Sequence, residues 1–332
     1  MPLHRSFLRR SSLRLPARLA ALLLAAAACA PLAGAKDKPD ERTHRFGVIG
    51  NSAEKKGARA DGAARLKEAL ADSSEKSLAF VVINGIKGEH ESCGDRLYEG
   101  RRDIVARARR PTIVSLAGSD WTACRNSANR TSAIERLNRL RELFHGEPES
   151  LGVERIHLTQ LSASPRFRSY AENAHWKVGK VLYATINLPA GNNHYLPAAG
   201  RNSEYEDRTV ANRFWLNRLF AIARSDKAEA LVLFSEGAIR PFYLDQPAGL
   251  RGLLRRGPEE HDGFEAVRRQ VQARAVKFDG KVLLVDSGPV EGRKPKIVWK
   301  DNLGQLSVGA KAVEVDVTVG EDAEFVVGDA KQ

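Results

Sequence analysis

Short apolar runs typical of β-strands alternate along this chain with stretches whose apolar residues recur at helical spacing. The unbroken apolar run at residues 78–83 predicts a buried strand. Residues 207–223 have the pattern of an amphipathic helix. This alternation predicts a layered α/β fold. The other predicted strands are 45–49, 111–116, 181–188, 230–234 and 281–285, and the other predicted helices are 62–71, 98–109, 134–144 and 264–276.

The last part of the chain has a different pattern. Apolar and polar residues alternate with a period of two at Val313, Val315, Val317 and Val319, which predicts a strand with one buried face. With residues 296–299 and 324–327, this segment predicts a closing β meander. Residues 187–207 and 241–262 are predicted to be long loops, a length typical of functional or mobile segments.

Residues 1–35 have the three parts of a secretory signal peptide. Five arginines and no acidic residue precede an apolar run at residues 19–30, and three small residues follow at 33–35. We expect cleavage before Lys36, a short linker over residues 36–44, and a periplasmic or extracellular protein. Other readings stay open: the arginine pair at 9–10 loosely resembles a twin-arginine signal, Cys29 could carry a lipid, and the segment could stay as an anchor.

The three cysteines agree with export. Cys29 lies in the predicted signal, which leaves Cys93 and Cys124 as an even pair in an oxidising compartment. The sequence therefore predicts a disulfide between them, and two buried free thiols are the alternative.

The charge of the chain is moderately positive. It has 53 basic and 41 acidic residues, and five of the basic residues belong to the predicted signal. The remaining basic residues are spread along the chain and are not interleaved with aromatic residues, so we expect no nucleic-acid partner. No later segment has the length of apolar sequence that a membrane span needs, so we expect no transmembrane segment after the signal.

The residues that follow the predicted strands have a recognisable order. They are FGVIGN at 46–51, FVVINGIK at 80–87, AGSDWTAC at 117–124, an Ala-Asn-x-x-Trp-Leu motif at 211–216, and VLLVDSGPV at 282–290. In order and spacing these segments resemble the calcineurin-like metallophosphoesterase family, and more narrowly an exported bacterial branch of it. The resemblance covers residues 45–319. It implies a four-layer α/β/β/α sandwich, a single domain over residues 45–328, and two metal ions at the strand ends.

The chain departs from this family at the positions of the metal ligands. Asn51 stands in place of the first aspartate, Asn84 and Gly85 lie near the place of the bridging aspartate, and Ser119 replaces the ligand asparagine. The mid-chain ligand region reads Ser-Glu-Gly at 235–237, and both final histidines are missing at 286–290. Metal ligands must be anions or neutral nitrogens with a lone pair. We therefore expect no resident cofactor, and we assign no residue a catalytic or metal-binding role.

Several polar residues remain where the resemblance places the rim of the cleft: Asp120, Asn193, His194, Glu236 and Asp286. A single metal ion held by Asp286, Glu236 and His194 is one possibility. Simpler roles are a surface position for His194 and a structural hydrogen-bonding role for Asp120.

These observations lead to three hypotheses. The first is an exported pseudoenzyme of the phosphoesterase type that acts as a binding or interaction module for an unknown protein. The second is an active phosphoric ester hydrolase with an altered site that uses Mn, Fe or Zn. The third is a protein that binds an anionic sugar or phosphate in the cleft. The substrate and the oligomeric state are not encoded in any motif of the sequence.

Overall fold

The computed structural model describes residues 42–51, 62–74, 76–198, 200–242, 261–320 and 322–328, all within one compact unit, Pro39–Gln332. These residues form a mixed α/β structure with two mixed sheets, so the predicted fold class is confirmed. The predicted signal peptide lies outside the described residues, as do the start of the linker and residues 243–260 of the second long loop.

Sheet one has five strands in the order β12-β11-β1-β2-β3. Strands β1, β2 and β3 run parallel, whereas β11 pairs antiparallel with both β1 and β12. The bounds are β1 (Thr43–Ile49), β2 (Phe80–Asn84), β3 (Thr112–Ser115), β11 (Ala312–Thr318) and β12 (Glu324–Val327).

Sheet two has seven strands in the order β4-β5-β6-β7-β8-β10-β9. Strands β6, β7, β8 and β10 are parallel, and the strands beyond them on each side pair antiparallel. The bounds are β4 (Thr159–Gln160), β5 (Ala174–Val178), β6 (Val181–Thr185), β7 (Ala230–Phe234), β8 (Lys281–Asp286), β9 (Ile297–Lys300) and β10 (Leu303–Ser307).

The predicted closing meander is wrong, because its strands belong to different sheets. Strand β9 forms a hairpin with β10 in sheet two, whereas β11 and β12 form a hairpin in sheet one. The sequence does not predict β10, whose Gly304 lacks the side chain expected in a strand. The Trp299 ring covers this glycine so closely that a Cβ atom there would lie 2.6 Å from a ring carbon. Tertiary packing therefore selects a residue with poor strand propensity.

Five helices of eleven or more residues flank the sheets in the described part of the chain: α1 (Gly62–Ser74), α2 (Asp95–Ala106), α3 (Ala133–His145), α4 (Ser203–Ser225) and α5 (Glu265–Ala275). Each of them overlaps a helix predicted from apolar spacing. The first long loop is shorter than predicted, because α4 begins at Ser203.

Three apolar clusters hold the elements together. In the cluster shared by the two sheets, Phe46 and Phe80 of sheet one meet Tyr183 and Phe234 of sheet two, and the ring centroids of Phe80 and Tyr183 lie 4.7 Å apart. A second cluster joins sheet one to α1, α2 and α3, and a third joins sheet two to α4 and α5. Burial of these faces out of water is the main driving force of the fold.

Cys93 and Cys124 form the disulfide that the sequence predicts, with Cα atoms 5.8 Å apart. It ties the segment just before α2 to the loop that follows β3. The Tyr98 hydroxyl strengthens this connection, since it donates to the Asp120 carbonyl at 2.7 Å. Among the described residues, no helix is long and apolar enough to cross a membrane.

Candidate functional site

The parallel strands of both sheets end in polar residues at one edge of the fold. The carboxyl ends of parallel strands are the usual place of ligand sites in α/β folds. Two hydrogen bonds join the strand ends of the two sheets: Asn84 Nδ2 donates to the Ser235 carbonyl at 3.1 Å, and the Gly118 amide donates to Glu236 Oε2 at 2.5 Å.

A cleft of about 630 Å³ opens at this edge. Of the residues predicted for the site, Asn51 and Glu236 line it. The residues of the cleft that matter for its chemistry are Asn51, Glu236, Arg240, His261, Phe264 and Ser287.

Asn51 follows β1 and is only 3% exposed. Its amide Nδ2 donates to Ser119 Oγ at 2.9 Å, and Ser119 Oγ donates to the Lys87 carbonyl at 3.1 Å. Because the Ser119 hydroxyl donates its proton to the Lys87 carbonyl, its oxygen accepts from Asn51 Nδ2. This pair of hydrogen bonds orients the Asn51 amide. Among the residues that the structure describes, Asn51 Oδ1 has no hydrogen-bond partner.

Asp120 lies beneath the cleft and is fully buried. Its Oδ1 accepts the amides of Ile86 and Lys87 at 2.9 and 3.1 Å, and its Oδ2 accepts the Ala117 amide at 2.8 Å. Burial raises the pKa of Asp120 to about 6, against the opposing effects of these amides and of the Lys87 charge. The carboxyl group therefore joins the loops after β2 and β3, which agrees with the structural role considered for it.

Glu236 follows β7 and has the same kind of environment. Its Oε2 accepts the backbone amides of Gly118 and Ala190, the latter at 2.7 Å. These amides belong to the loops after β3 and β6, so one carboxylate oxygen connects three loops of the site.

Asp286 ends β8 and is 1% exposed. Its Oδ1 accepts the Gly288 amide at 2.8 Å, and its Oδ2 accepts from the Gln305 side chain at 2.8 Å. Burial raises the pKa of Asp286, while hydrogen bonds from Gln305 and Ser307 and the charge of Arg240 act in the opposite direction. Asp286 therefore lies behind the wall of the cleft.

Asn193 and His194 lie in a left-handed turn. Four consecutive residues have positive φ values, from Gly191 at 69° through Asn192 at 59° and Asn193 at 55° to His194 at 53°. This backbone region is unfavourable for most side chains, and asparagine, aspartate and histidine are enriched among the residues other than glycine that adopt it. The His194 ring packs edge-on against Trp121, with centroids 4.9 Å apart. Neither Asn193 nor His194 is among the residues that line the cleft.

Arg208 of α4 supports this turn from below and is completely buried. Its guanidinium donates to the Asn193 side chain and, at 2.9 Å, to the Asn193 carbonyl, while Glu204 pairs with it at 2.7 Å. The sequence does not identify Arg208, because an arginine on an amphipathic helix has the same pattern whether it faces solvent or a loop.

A buried polar network supports the loop that leads into the turn. Arg141 binds Glu172 through both carboxylate oxygens at 2.9 and 2.6 Å, and Asn187 donates to the same carboxylate at 2.9 Å. Burial alone would raise the pKa of Glu172, but the charge of Arg141 and these hydrogen bonds lower it below its ordinary value. The network fixes the start of the loop at Asn187.

These residues do not fit a pair of divalent metal ions. Such a pair requires several anionic or imidazole ligands at one place. Asn51 and Ser119 are neutral, and Asp120 and Asp286 point at backbone and side-chain donors. Among the described residues, no three His, Cys, Asp or Glu side chains lie close enough together to hold a metal ion. Asp286, Glu236 and His194, considered from the sequence as ligands of a single metal ion, are accordingly not such a group in the described part of the chain.

Arg240 lies in the wall of the cleft and is a second feature that the sequence does not reveal. Its φ value is +51°, an uncommon conformation for a long side chain. Arg268 Nε donates to the Arg240 carbonyl at 3.1 Å, and Arg268 also pairs with Asp262 at 2.6 Å. These contacts hold the backbone that presents Arg240 at the cleft.

Comparison of the sequence with models of known protein families finds no match, and comparison with curated proteins finds none either.

Proposed function

We propose that this chain is an exported protein with a calcineurin-like phosphoesterase type of fold, whose strand-end cleft binds a ligand or partner without hydrolysing phosphate esters. The apolar clusters support a four-layer α/β/β/α order, since the two sheets share one cluster and each sheet has a second cluster with its own helices. The residue order after the strands supports the family resemblance.

The observation that carries the proposal is the use of the carboxyl groups at the strand ends. Asp120, Glu236 and Asp286 each accept hydrogen bonds from backbone amides of the loops around them. Carboxylate oxygens that ligate a metal ion point their lone pairs at the ion. Here these lone pairs connect loops and give the cleft a fixed shape, which suits recognition.

Charge supports the same conclusion. Two dications at about 3.5–4 Å repel each other strongly unless anionic ligands surround and bridge them. The positions after β1 and β3 that would contribute to such a set are the neutral Asn51 and Ser119, which are hydrogen-bonded to each other. An amide and a hydroxyl group do not provide that compensating charge.

Turnover measurements test the proposal. The purified protein, supplied with Mn²⁺, Fe²⁺ or Zn²⁺, should not hydrolyse bis(p-nitrophenyl) phosphate or p-nitrophenyl phosphate above the rate of metal ions in buffer. The Glu236→Gln and Asp286→Asn variants should show the same background rate, with Asp103→Asn on the exposed face of α2 as the matched control. Metal-dependent turnover that disappears in the first two variants and persists in the control would establish the hydrolase alternative.

Export is the second part of the proposal, and the Cys93–Cys124 disulfide supports it, because structural disulfides persist in oxidising compartments. The intact mass of the protein recovered from the secretory fraction of a bacterial host should correspond to a chain that begins at Lys36. A chain recovered only in the cytoplasm with residues 1–35 attached would contradict this part.

A further inference from the structure

Two side-chain atoms have unused hydrogen-bonding capacity at the buried end of the cleft, which is formed by Asn51 and Ser287 and is called the floor below. Asn51 Oδ1 and Ser287 Oγ are both buried without a partner among the described residues. In the structure Asn51 Nδ2 donates to Ser119 Oγ, which in turn donates to the Lys87 carbonyl, and this arrangement leaves Asn51 Oδ1 facing the floor. Buried polar atoms in folded proteins are normally hydrogen-bonded. Asn51 Oδ1 needs a donor, whereas the Ser287 hydroxyl can donate or accept, so ligand hydroxyl groups, which do both, suit the floor.

An anionic group does not suit this floor. A phosphate or carboxylate oxygen would place its lone pairs against the lone pair of Asn51 Oδ1. It would also approach Glu236, which lines the same cleft, and Asp286, whose Oδ1 accepts from the Gly288 amide in the cleft wall. Without metal ions to reverse the charge, the floor favours neutral hydroxyl groups.

The exposed end of the cleft lies at Arg240 and is called the mouth below. Unlike the floor, the mouth favours an anionic group. The Arg240 side chain is exposed and forms no ion pair with any residue that the structure describes. Arg268 is the neighbouring cation, and its guanidinium already forms an ion pair with the Asp262 carboxylate at 2.6 Å. Arg240 is therefore the cation that can bind an acidic group of a ligand at the mouth.

Phe264 gives the cleft an aromatic wall. The Phe264 ring packs on Gly237 so tightly that a Cβ atom there would lie 2.7 Å from the ring. A sugar has an apolar ring face together with hydroxyl donors at its edge. It can pack on the Phe264 ring while its hydroxyl groups reach the floor.

We infer that the cleft binds an acidic sugar. Its hydroxyl groups donate to Asn51 Oδ1 and form a hydrogen bond with the Ser287 hydroxyl at the floor, and its acidic group binds Arg240. The cleft volume of about 630 Å³ accommodates a mono- or disaccharide. The inference rests on the proposed function, because it needs a floor without metal ions.

Isothermal titration calorimetry with D-glucuronate, D-glucose and inorganic phosphate at equal ionic strength tests this inference. Glucuronate should bind with a Kd at least about tenfold lower than that of glucose or phosphate, since it alone satisfies both ends. The Ser287→Ala and Asn51→Leu variants should each weaken glucuronate binding about tenfold and leave phosphate binding unchanged. Ser287→Ala serves as the milder variant if Asn51→Leu unfolds.

Arg240→Asn should remove the advantage of glucuronate over glucose, since asparagine tolerates a positive φ value and lacks the charge. Arg155→Asn, an exposed arginine away from the cleft, is the matched control and should change neither affinity.

Three results would overturn the inference: no saturable glucuronate binding below about 10 mM, glucose binding as tight as glucuronate, or phosphate binding that equals glucuronate and depends on Asn51. Each can occur while turnover stays at background, in which case the non-hydrolytic function stands and the ligand class fails. Metal-dependent turnover would instead remove the proposed function itself.

Discussion

Replacement of Asp120 by asparagine tests whether the carboxyl groups of the site hold loops together. Asparagine keeps one oxygen for the Ile86 and Lys87 amides, but it turns an NH₂ group toward the Ala117 amide. A hydrogen bond to a charged acceptor is lost and two donors face each other in a fully buried place. We expect the free energy of unfolding to fall by about 2–3 kcal/mol at pH 7.5.

The pH dependence of this effect has a definite sign. Burial raises the pKa of Asp120 from 3.8 to about 6, so the folded state takes up the proton at a higher pH than the unfolded state does. Between pH 6 and pH 3.8 the folded state thus binds more protons, and the stability contributed by this group rises as the pH falls. From pH 7.5 to pH 4.5 this protonation adds about 2 kcal/mol to the free energy of unfolding. Asparagine does not titrate and therefore adds nothing.

Urea unfolding of both proteins at pH 7.5 and pH 4.5, with the disulfide intact, measures the prediction. The stability difference between wild type and Asp120→Asn should widen to about 4–5 kcal/mol at the lower pH. Asp103→Asn on α2, where the side chain is 61% exposed, is the matched control and should stay within about 0.5 kcal/mol of wild type at both values. A difference that narrows on acidification would show that the hydrogen bonds outweigh burial, and would refute the reasoning.

Three further substitutions test the rest of the fold by urea unfolding. Replacing Cys93 and Cys124 by serine should cost about 4 kcal/mol, because the bond closes a loop with a sequence separation of 31 residues; no loss would mean that the bond does not constrain the unfolded chain. Phe80→Ala should cost about 3–5 kcal/mol, since it opens a cavity between the sheets, and a cost below about 1 kcal/mol would contradict that packing. Arg141→Met should cost about 3–5 kcal/mol at pH 7.5 because it leaves the Glu172 carboxylate buried and unpaired. Burial without Arg141 raises the pKa of Glu172, whereas Arg141 lowers it, so this penalty should shrink as the pH falls from the raised pKa of the variant toward the lowered pKa of the wild type; a penalty that does not depend on pH would contradict the charge argument.

Strands and helices with strong local patterns could be predicted from the sequence. Residues 230–234 and 324–327 are strands with the predicted bounds, because apolar runs or alternation mark them directly. Strand β10 could not be predicted, since its conformation depends on pairing with β8 and β9 and on Trp299 covering Gly304. The division of the last strands between two sheets is likewise set by pairing over long sequence separations.

The polar positions at the strand ends could also be predicted, but their contacts could not. The sequence places Asn51, Ser119 and Glu236 after strands of the two sheets, and the structure brings them together. The sequence alone does not identify the backbone amides that Asp120 accepts. Nor does it reveal Arg208, whose role depends on the left-handed turn beside it.

A calorimetric titration of Mn²⁺ into the metal-stripped protein is the most direct test of the central claim that the strand-end cleft is no longer a dinuclear metal site. We predict no stoichiometric uptake up to millimolar Mn²⁺ and no change in the thermal unfolding temperature. Uptake of two Mn²⁺ ions per chain with a Kd below about 10 µM, abolished by Glu236→Gln or Asp286→Asn, would contradict the claim.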